Sequence, residues 1–216
     1  MDVRISKEIL VKITDILQER NIYVHPNFLA RDIFWQRLER IGHFLKKYAK
    51  HEDKVLDFGG GSGAFSVALS RLFSSIDIID LDCSDAMKII DYFGITNVHL
   101  INGDIRHAKI EQTYDVIIAA DVLEHFKDLN VPLAFFKKNM SKTGLLFISV
   151  PTENWLYCLG RLIVNKKKPI DHYHSSRDVI DFLKRNGFQV IRRDFMPRYL
   201  ATIPLFDICV LQHQAN

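Results

Sequence analysis

The run VLDFGGGSGAFSVAL, residues 55–69, constrains the fold more than any other stretch of the chain. A strand-like segment leads directly into Gly59, Gly60, Gly61 and Gly63, and a helical pattern follows at once. Glycines in such a turn permit positive φ and let backbone approach a ligand closely. A helix opening there would offer unbonded N–H groups to a negatively charged moiety. Read literally, Gly59-x-Gly61-x-x-Ala64 also satisfies the dinucleotide fingerprint, so the glycines alone do not choose a ligand.

From residue 54 onward, short apolar runs alternate with helical patterns. KVLDF, SIDIID, NVHLI, YDVIIAA and GLLFISV are strand-like and rich in Val and Ile. Between them, 63–73, 84–93 and 121–139, the last bent near Pro132, are predicted helices. Such alternation predicts an α/β fold, a doubly wound and mostly parallel sheet covered on both faces. A helix starting near Ser175 or Ser176 and stopped at Asn186-Gly187 precedes two further runs, FQVIRRDF and LFDICVLQ. Two successive strands without a helix between them predict an antiparallel hairpin at the end of the sheet. Ahead of this domain, residues 5–19 and a segment from Asn27 to Tyr48 show amphipathic helical spacing. The expected organisation is a helical cap over 1–50, then an α/β domain over 51–216 carrying a lid-like insertion at 151–175.

A set of acids surrounds the glycine loop. Asp57 lies two residues before Gly59, where a carboxylate would crowd a pyrophosphate but suits a cation. Asp82 stands 21 residues beyond Gly61, the spacing from which a carboxylate grips a ribose diol. Asp104 follows the third strand in INGDI, and Asp121 the fourth in AADVLEH. Any one of them could cap a helix. Four at the C-terminal ends of four consecutive strands converge where open parallel sheets bind ligands.

Charge is segregated in the same sense: residues 51–136 carry 6 Lys and Arg against 14 Asp and Glu, whereas both flanking segments are basic. An acidic cation or nucleotide site flanked by basic segments is one reading of this, differing solvated faces the other. Cys83, Cys158 and Cys209 are odd in number and form no C-x-x-C pair, which predicts neither disulfides nor a zinc knuckle and points to a reducing compartment. The first residues mix charged and apolar side chains, and no run approaches the length of a membrane span. A cytoplasmic location is expected.

As an ordered set, VLDFGGGSG, the D-x-S of Asp82-Cys83-Ser84, INGDI, YDVIIAADVLEHF and RNGFQV resemble the class I S-adenosylmethionine-dependent methyltransferases, in particular their small-molecule, ubiquinone-biosynthesis-like (type 11) branch. The resemblance covers roughly residues 50–195 and implies a seven-stranded Rossmann-like sheet whose last strand is antiparallel. It implies S-adenosylmethionine as cofactor, with Asp57, Gly59, Gly60, Gly61 and Gly63 along the methionine and ribose portion. Asp82, in the stretch with Cys83, would take the ribose hydroxyls, Asp104 with Ile105 the adenine edge, and Asp121 the methionine end. The usual G-x-D before D-x-S reads Asp80-Leu81-Asp82 here, which leaves Asp80 as the alternative ribose ligand. The cofactor's charge pattern fits an acidic crevice: it carries a sulfonium and an ammonium and has no phosphate. A nicotinamide-dependent oxidoreductase using the same loop, and a non-catalytic methyltransferase-like binding module, are the competing readings.

On the acceptor side, His125 in DVLEHF and His172 and His174 in IDHYHSS are the candidate catalytic residues, as general bases. D-H-x-H on a loop without a further spaced ligand is too little for a metal site, and none is expected. The pattern lapses for about 24 residues after Pro151, longer than an ordinary connection. There Trp155, Leu156, Leu159, Leu162 and Ile163 recur at helical spacing ahead of Lys166, Lys167 and Lys168. Such a segment would form a lid over a small-molecule acceptor with an apolar or anionic character, lipid-linked or sugar-bearing, with transient contact to a membrane surface. The lysines lack interleaved aromatics, so a nucleic-acid partner is not favoured.

Overall fold

In the computed structural model, Lys54–Phe58 (β1), Ser75–Asp80 (β2) and Val98–Asn102 (β3) form parallel strands in the order β3-β2-β1. The structure describes residues 7–17, 23, 27–108, 110–163, 171–200 and 202–214. The chain divides into two compact units, one ending at Ile110 and the other beginning at Glu111. Both N-terminal helices fall within the first unit.

Those helices are Lys7–Leu17 (α1) and Phe28–Tyr48 (α2). The stripe of α2 is buried through Trp35, Leu38, Ile41, Phe44 and Leu45, as its spacing predicts. In β1 and β2 both alternating faces are buried, as continuous runs of Val, Ile and Leu require of parallel strands. Register pairs Asp57 with Ile78 and Asp80 with Asn102, which brings the C-terminal ends of the three strands to one edge.

Two helices flank that edge. Ser84–Phe93 (α4) has the predicted bounds, and Gly94 ends it in the left-handed region at φ 61°. The helix expected over 63–73 is a single α-turn, Ser66–Leu69 (α3), extended by i→i+3 bonds such as Ala68 N–H to Phe65 O. The hydroxyls of Ser66 and Ser70 donate to backbone carbonyls three residues back, offering the backbone an alternative to a regular helix.

In the second unit Tyr114–Ala120 (β4), Met140–Pro151 (β5), Phe188–Met196 (β6) and Phe206–His213 (β7) run in the order β4-β5-β7-β6. β4 and β5 are parallel, whereas β7 is antiparallel to both β5 and β6. The seven strands therefore have the mixed direction of the predicted α/β fold, with the terminal hairpin in its expected place. The core of this unit is apolar on both strand faces, with Ile117, Ile118, Phe147, Ile148, Cys209 and Val210 at 1% exposure or less.

The single helix expected over 121–139 is interrupted. Leu123–His125 is a 3₁₀ turn that ends at extended Phe126, and Asn130–Asn139 (α5) starts afresh. Pro132 lies in the first turn of α5, where its missing N–H costs no helical bond, so the break falls before it and not at it. Ser176–Arg185 (α7) opens on a capping box between Ser175 and Asp178. The proposed lid contributes a helix, Trp155–Ile163 (α6), whose Trp155 is 64% exposed, in contrast to 5% for Trp35. Lys166, Lys167 and Lys168 lie outside the described residues. Among the described residues no helix is long and apolar enough to cross a membrane.

Candidate functional site

In the first unit, β1 ends in Asp57 and the glycine loop, and the loop is fixed largely by its own N–H groups. Gly59 donates to Ile79 O at 2.8 Å, Gly63 donates to Gly60 O at 3.0 Å, and Gly61 donates to Asp80 Oδ2 at 2.8 Å. Three of the loop's donors are thus used inside the protein. With only four residues in α3, the expected anion site at a helix N-terminus is not built. The loop is a poor cradle for phosphate.

The glycines differ in what they do. Gly59, Gly61 and Gly63 all have positive φ, at 72°, 54° and 69°. A Cβ on Gly63 would lie 2.7 Å from the Ala86 backbone, so this glycine lets the loop pack on α4. A Cβ on Gly60 would meet Ile78 Cγ2 at 2.6 Å and Asp57 Oδ2 at 2.9 Å. A Cβ on Gly61 would meet nothing within 4 Å, so the space on that side is open.

Asp57 is 2% exposed, and its Oδ2 has no hydrogen-bond partner. Burial, then the charge of Asp80, push its carboxyl up to about 7, and the buried Arg37 guanidinium only partly opposes them. Sequence reasoning missed Arg37 because a lone basic residue on an amphipathic helix carries no signal of its own. A carboxylate so placed gains most from a cation brought beside it.

The carboxylates of Asp80 and Asp82 are engaged separately. Asp80 accepts from Gly61 N–H through Oδ2 and from Asp82 N–H through Oδ1, at 3.2 Å. Asp82 is exposed and accepts from Ser84 N–H at 2.9 Å at the start of α4, which holds its carboxyl below the usual range. The Cys83 thiol is buried beneath this turn, and Cys83 N–H donates to Asn102 Oδ1 at 2.8 Å. Cys83 therefore has a positional part, with burial pushing its thiol up.

Asp104 follows β3 and is gripped by Arg106, whose Nε lies 3.0 and 2.9 Å from the two carboxylate oxygens. Those side-chain bonds, with one from Arg106 N–H, lower the Asp104 carboxyl to about 2. Any ligand donor reaching Asp104 must share it with this guanidinium. Ile105 beside it is half-buried.

The second unit holds the remaining candidates. Asp121 follows β4 with φ 55°, uncommon for a non-glycine residue, and accepts from Ser149 Oγ at 3.0 Å. His125 and His172 are brought together, their rings edge-to-face with centroids 4.6 Å apart. Each is oriented through Nδ1 by a carboxylate, His125 by Asp171 and His172 by Glu153, both at 2.9 Å. Glu153 itself has φ 53°. The sequence signalled neither pairing, since partners 46 and 19 residues apart leave no local pattern. His174 has no such pairing, and its Nε2 is buried without a hydrogen-bond partner.

Residues 29–193 match the family described as "Methyltransferase domain". The chain is 33% identical over 108 residues to a ribosomal protein L11 methyltransferase of Campylobacter concisus, covering 49% of this chain and 37% of that protein. It is 28% identical over 118 residues to a ubiquinone biosynthesis O-methyltransferase of Hydrogenovibrio crunogenus, covering 52% and 48%. The chain thus spans less than half the length of these two relatives. Among solved structures, a magnesium protoporphyrin IX methyltransferase from Synechocystis with bound SAH superposes with a TM-score of 0.69 at 17% identity, over 96% of this chain and 95% of that one. That likeness is one of fold, the Rossmann-like α/β arrangement.

Proposed function

The chain belongs to the methyltransferase domain family, and from that membership we propose that it transfers the methyl group of S-adenosylmethionine to a small-molecule acceptor. The observation that carries the choice of cofactor is the loop itself. Its N–H groups at Gly59, Gly61 and Gly63 are used internally, and the Asp80 carboxylate, with the buried Asp57 carboxyl beside it that a nearby cation would ionise, stands where a dinucleotide would bring a pyrophosphate. Like charges there would repel a phosphate and favour a cation. An oxidoreductase reading has no such support.

When bound, S-adenosylmethionine supplies a methyl group activated by sulfonium charge. The residues here would hold it in parts. Asp57 gives the negative charge for a cationic portion, Gly61 leaves room at the loop, and Asp82 is exposed for the ribose hydroxyls. Asp80 shapes the loop through Gly61 N–H and so positions the ligand without needing to touch it. Asp104 and Ile105 stand for the adenine edge. Because methyl transfer removes charge from the donor, such a site contributes mainly alignment and exclusion of water.

On the acceptor side this reading uses His125 and His172, each held at Nδ1 by a carboxylate. The exposed Trp155 and Leu159 of α6 favour an acceptor with an apolar body. Calorimetric titration tests the cofactor: S-adenosylhomocysteine should bind and NADH should not, and the opposite outcome removes the proposal. A labelled-methyl screen of extracts, with lipid, glycan, small-molecule and protein fractions counted separately, then tests the acceptor class. Label confined to protein would overturn the small-molecule reading.

A further inference from the structure

We propose that Glu124, His125 and His172 form a site for one divalent first-row transition ion of the zinc type, with at least one coordination position left open. One ligand atom from each of these three residues lies within 4.8 Å of the other two. The sequence alone predicts no metal, since the D-H-x-H run around His172 has no further ligand spaced close to it. The ligands come instead from two segments. The 3₁₀ turn Leu123–His125 presents Glu124 and His125 side by side, and Tyr173 N–H donates to Glu124 O at 2.8 Å, tying His172's segment to that turn.

The donor set fits the ion in kind. Two imidazoles and one carboxylate are borderline ligands that suit zinc and its neighbours, whereas magnesium and calcium prefer oxygen alone. The ring nitrogens are also prepared. Nδ1 of His125 meets Asp171 and Nδ1 of His172 meets Glu153, each at 2.9 Å, so in the proposed site each ring would turn its Nε2 to the ion. A carboxylate on the far nitrogen of a histidine is the usual outer support of a metal ligand, fixing its tautomer and raising its basicity. Glu124 is 1% exposed, so its carboxylate would meet a cation with little water between them.

The spacing fits with a small contraction. Tetrahedral zinc with bonds near 2 Å places its ligands about 3.3 Å apart, so side-chain rotations on the order of 1 Å would close the site. Three protein ligands leave the fourth position for water or an oxygen of a bound molecule, as in catalytic rather than structural zinc sites. The inference rests on this geometry alone and does not depend on methyl transfer.

The test uses the full chain stripped with EDTA and dialysed. Zn²⁺ should then bind at one equivalent per chain, and Co²⁺ should give visible absorption bands of a four- or five-coordinate ion that Zn²⁺ abolishes. Magnesium should not displace either. His125→Gln and His172→Gln, both at half-buried positions, should weaken binding at least tenfold while melting as the metal-free wild type does. Glu153→Gln and Asp171→Asn, which leave the ligands in place, should weaken it about 10- to 100-fold. Cys158→Ser, which removes an exposed thiol, should leave it unchanged. No bound equivalent, unchanged affinity in either folded histidine variant, or loss of binding in Cys158→Ser would overturn the site. S-adenosylhomocysteine titrated into the same stripped protein reports separately on the cofactor, so the two readings can fail independently.

Discussion

Asp80 accepts the Gly61 N–H at 2.8 Å, so the end of the second strand fixes the loop that leaves the first. Asp82, two residues on, meets that brace only through its backbone N–H, which donates to Asp80 Oδ1, while its own carboxylate accepts from Ser84 N–H at the start of α4. The two acids should therefore fail in different ways. Asp82→Ala should weaken S-adenosylhomocysteine binding about tenfold or more, since charged hydrogen bonds are worth roughly 1.5–3 kcal/mol. Asp80→Ala should lower thermal stability and weaken binding less. Calorimetry and melting on both variants decide it, and the reverse order of affinities would move the ribose ligand to Asp80.

Gly61 and Gly63 should separate ligand binding from folding. Gly61→Val places its side chain in open space at φ 54°, so the protein should fold with a backbone penalty of about 1–2 kcal/mol and lose the cofactor. Gly63→Ala drives a Cβ into the Ala86 backbone and should unfold the unit or destabilise it more than Gly61→Val does. Retained affinity in folded Gly61→Val would take this loop out of the cofactor site.

Asp57 makes binding and stability depend on pH in opposite senses. Its folded pKa, about 7, lies above the ordinary carboxyl value of 3.8, so the folded state holds the extra proton between those limits. Stability from this group is complete below about pH 4 and is lost as pH rises through about 7, with a ceiling on the order of 4 kcal/mol. A cationic ligand prefers the carboxylate, so affinity should rise from about pH 6 to pH 8. Asp57→Asn should flatten both profiles in urea unfolding and calorimetry. The same slopes in wild type and variant would mean that another group titrates.

Asp207 is buried in the second unit and accepts from Ser176 Oγ and from Arg193 Nε, the latter at 2.8 Å. Asp207→Ala removes the acceptor for both and should cost about 3 kcal/mol, the lower range for breaking a buried pair, because Arg193 is partly solvated. Denaturant unfolding checks the value, and a loss below about 1 kcal/mol would show that water replaces the carboxylate.

How far the sequence revealed this arrangement depended on the range of the interactions. Helix α4 was legible to the residue because Asp82, which accepts from Ser84 N–H, and Gly94 mark its ends by local backbone chemistry. The run 121–139 was not, since extended Phe126 and the Asp128 side chain bonded to Asn130 N–H break it without a glycine or proline at the break. Asp57, Asp82 and Asp104 could be placed because each follows a strand by a fixed offset. That Arg106 engages Asp104, and that Asp80 rather than solvent meets Gly61, are side-chain choices which spacing does not encode. The carboxylate partners of His125 and His172 depend on chain returning from far along the sequence, and no periodicity reports that.

The two tryptophans divide between the units: Trp35 is buried in α2, and Trp155 stands exposed on α6. Intrinsic fluorescence therefore resolves into two reporters without labelling. Emission from Trp35 should be shielded from acrylamide and follow unfolding of the first unit. Emission from Trp155 should be red-shifted and open to quenching, and an acceptor seated against α6 would shift it to the blue and protect it. Trp155→Phe leaves the Trp35 signal alone, so titrating cofactor and acceptor in turn assigns each optical change to its own side chain.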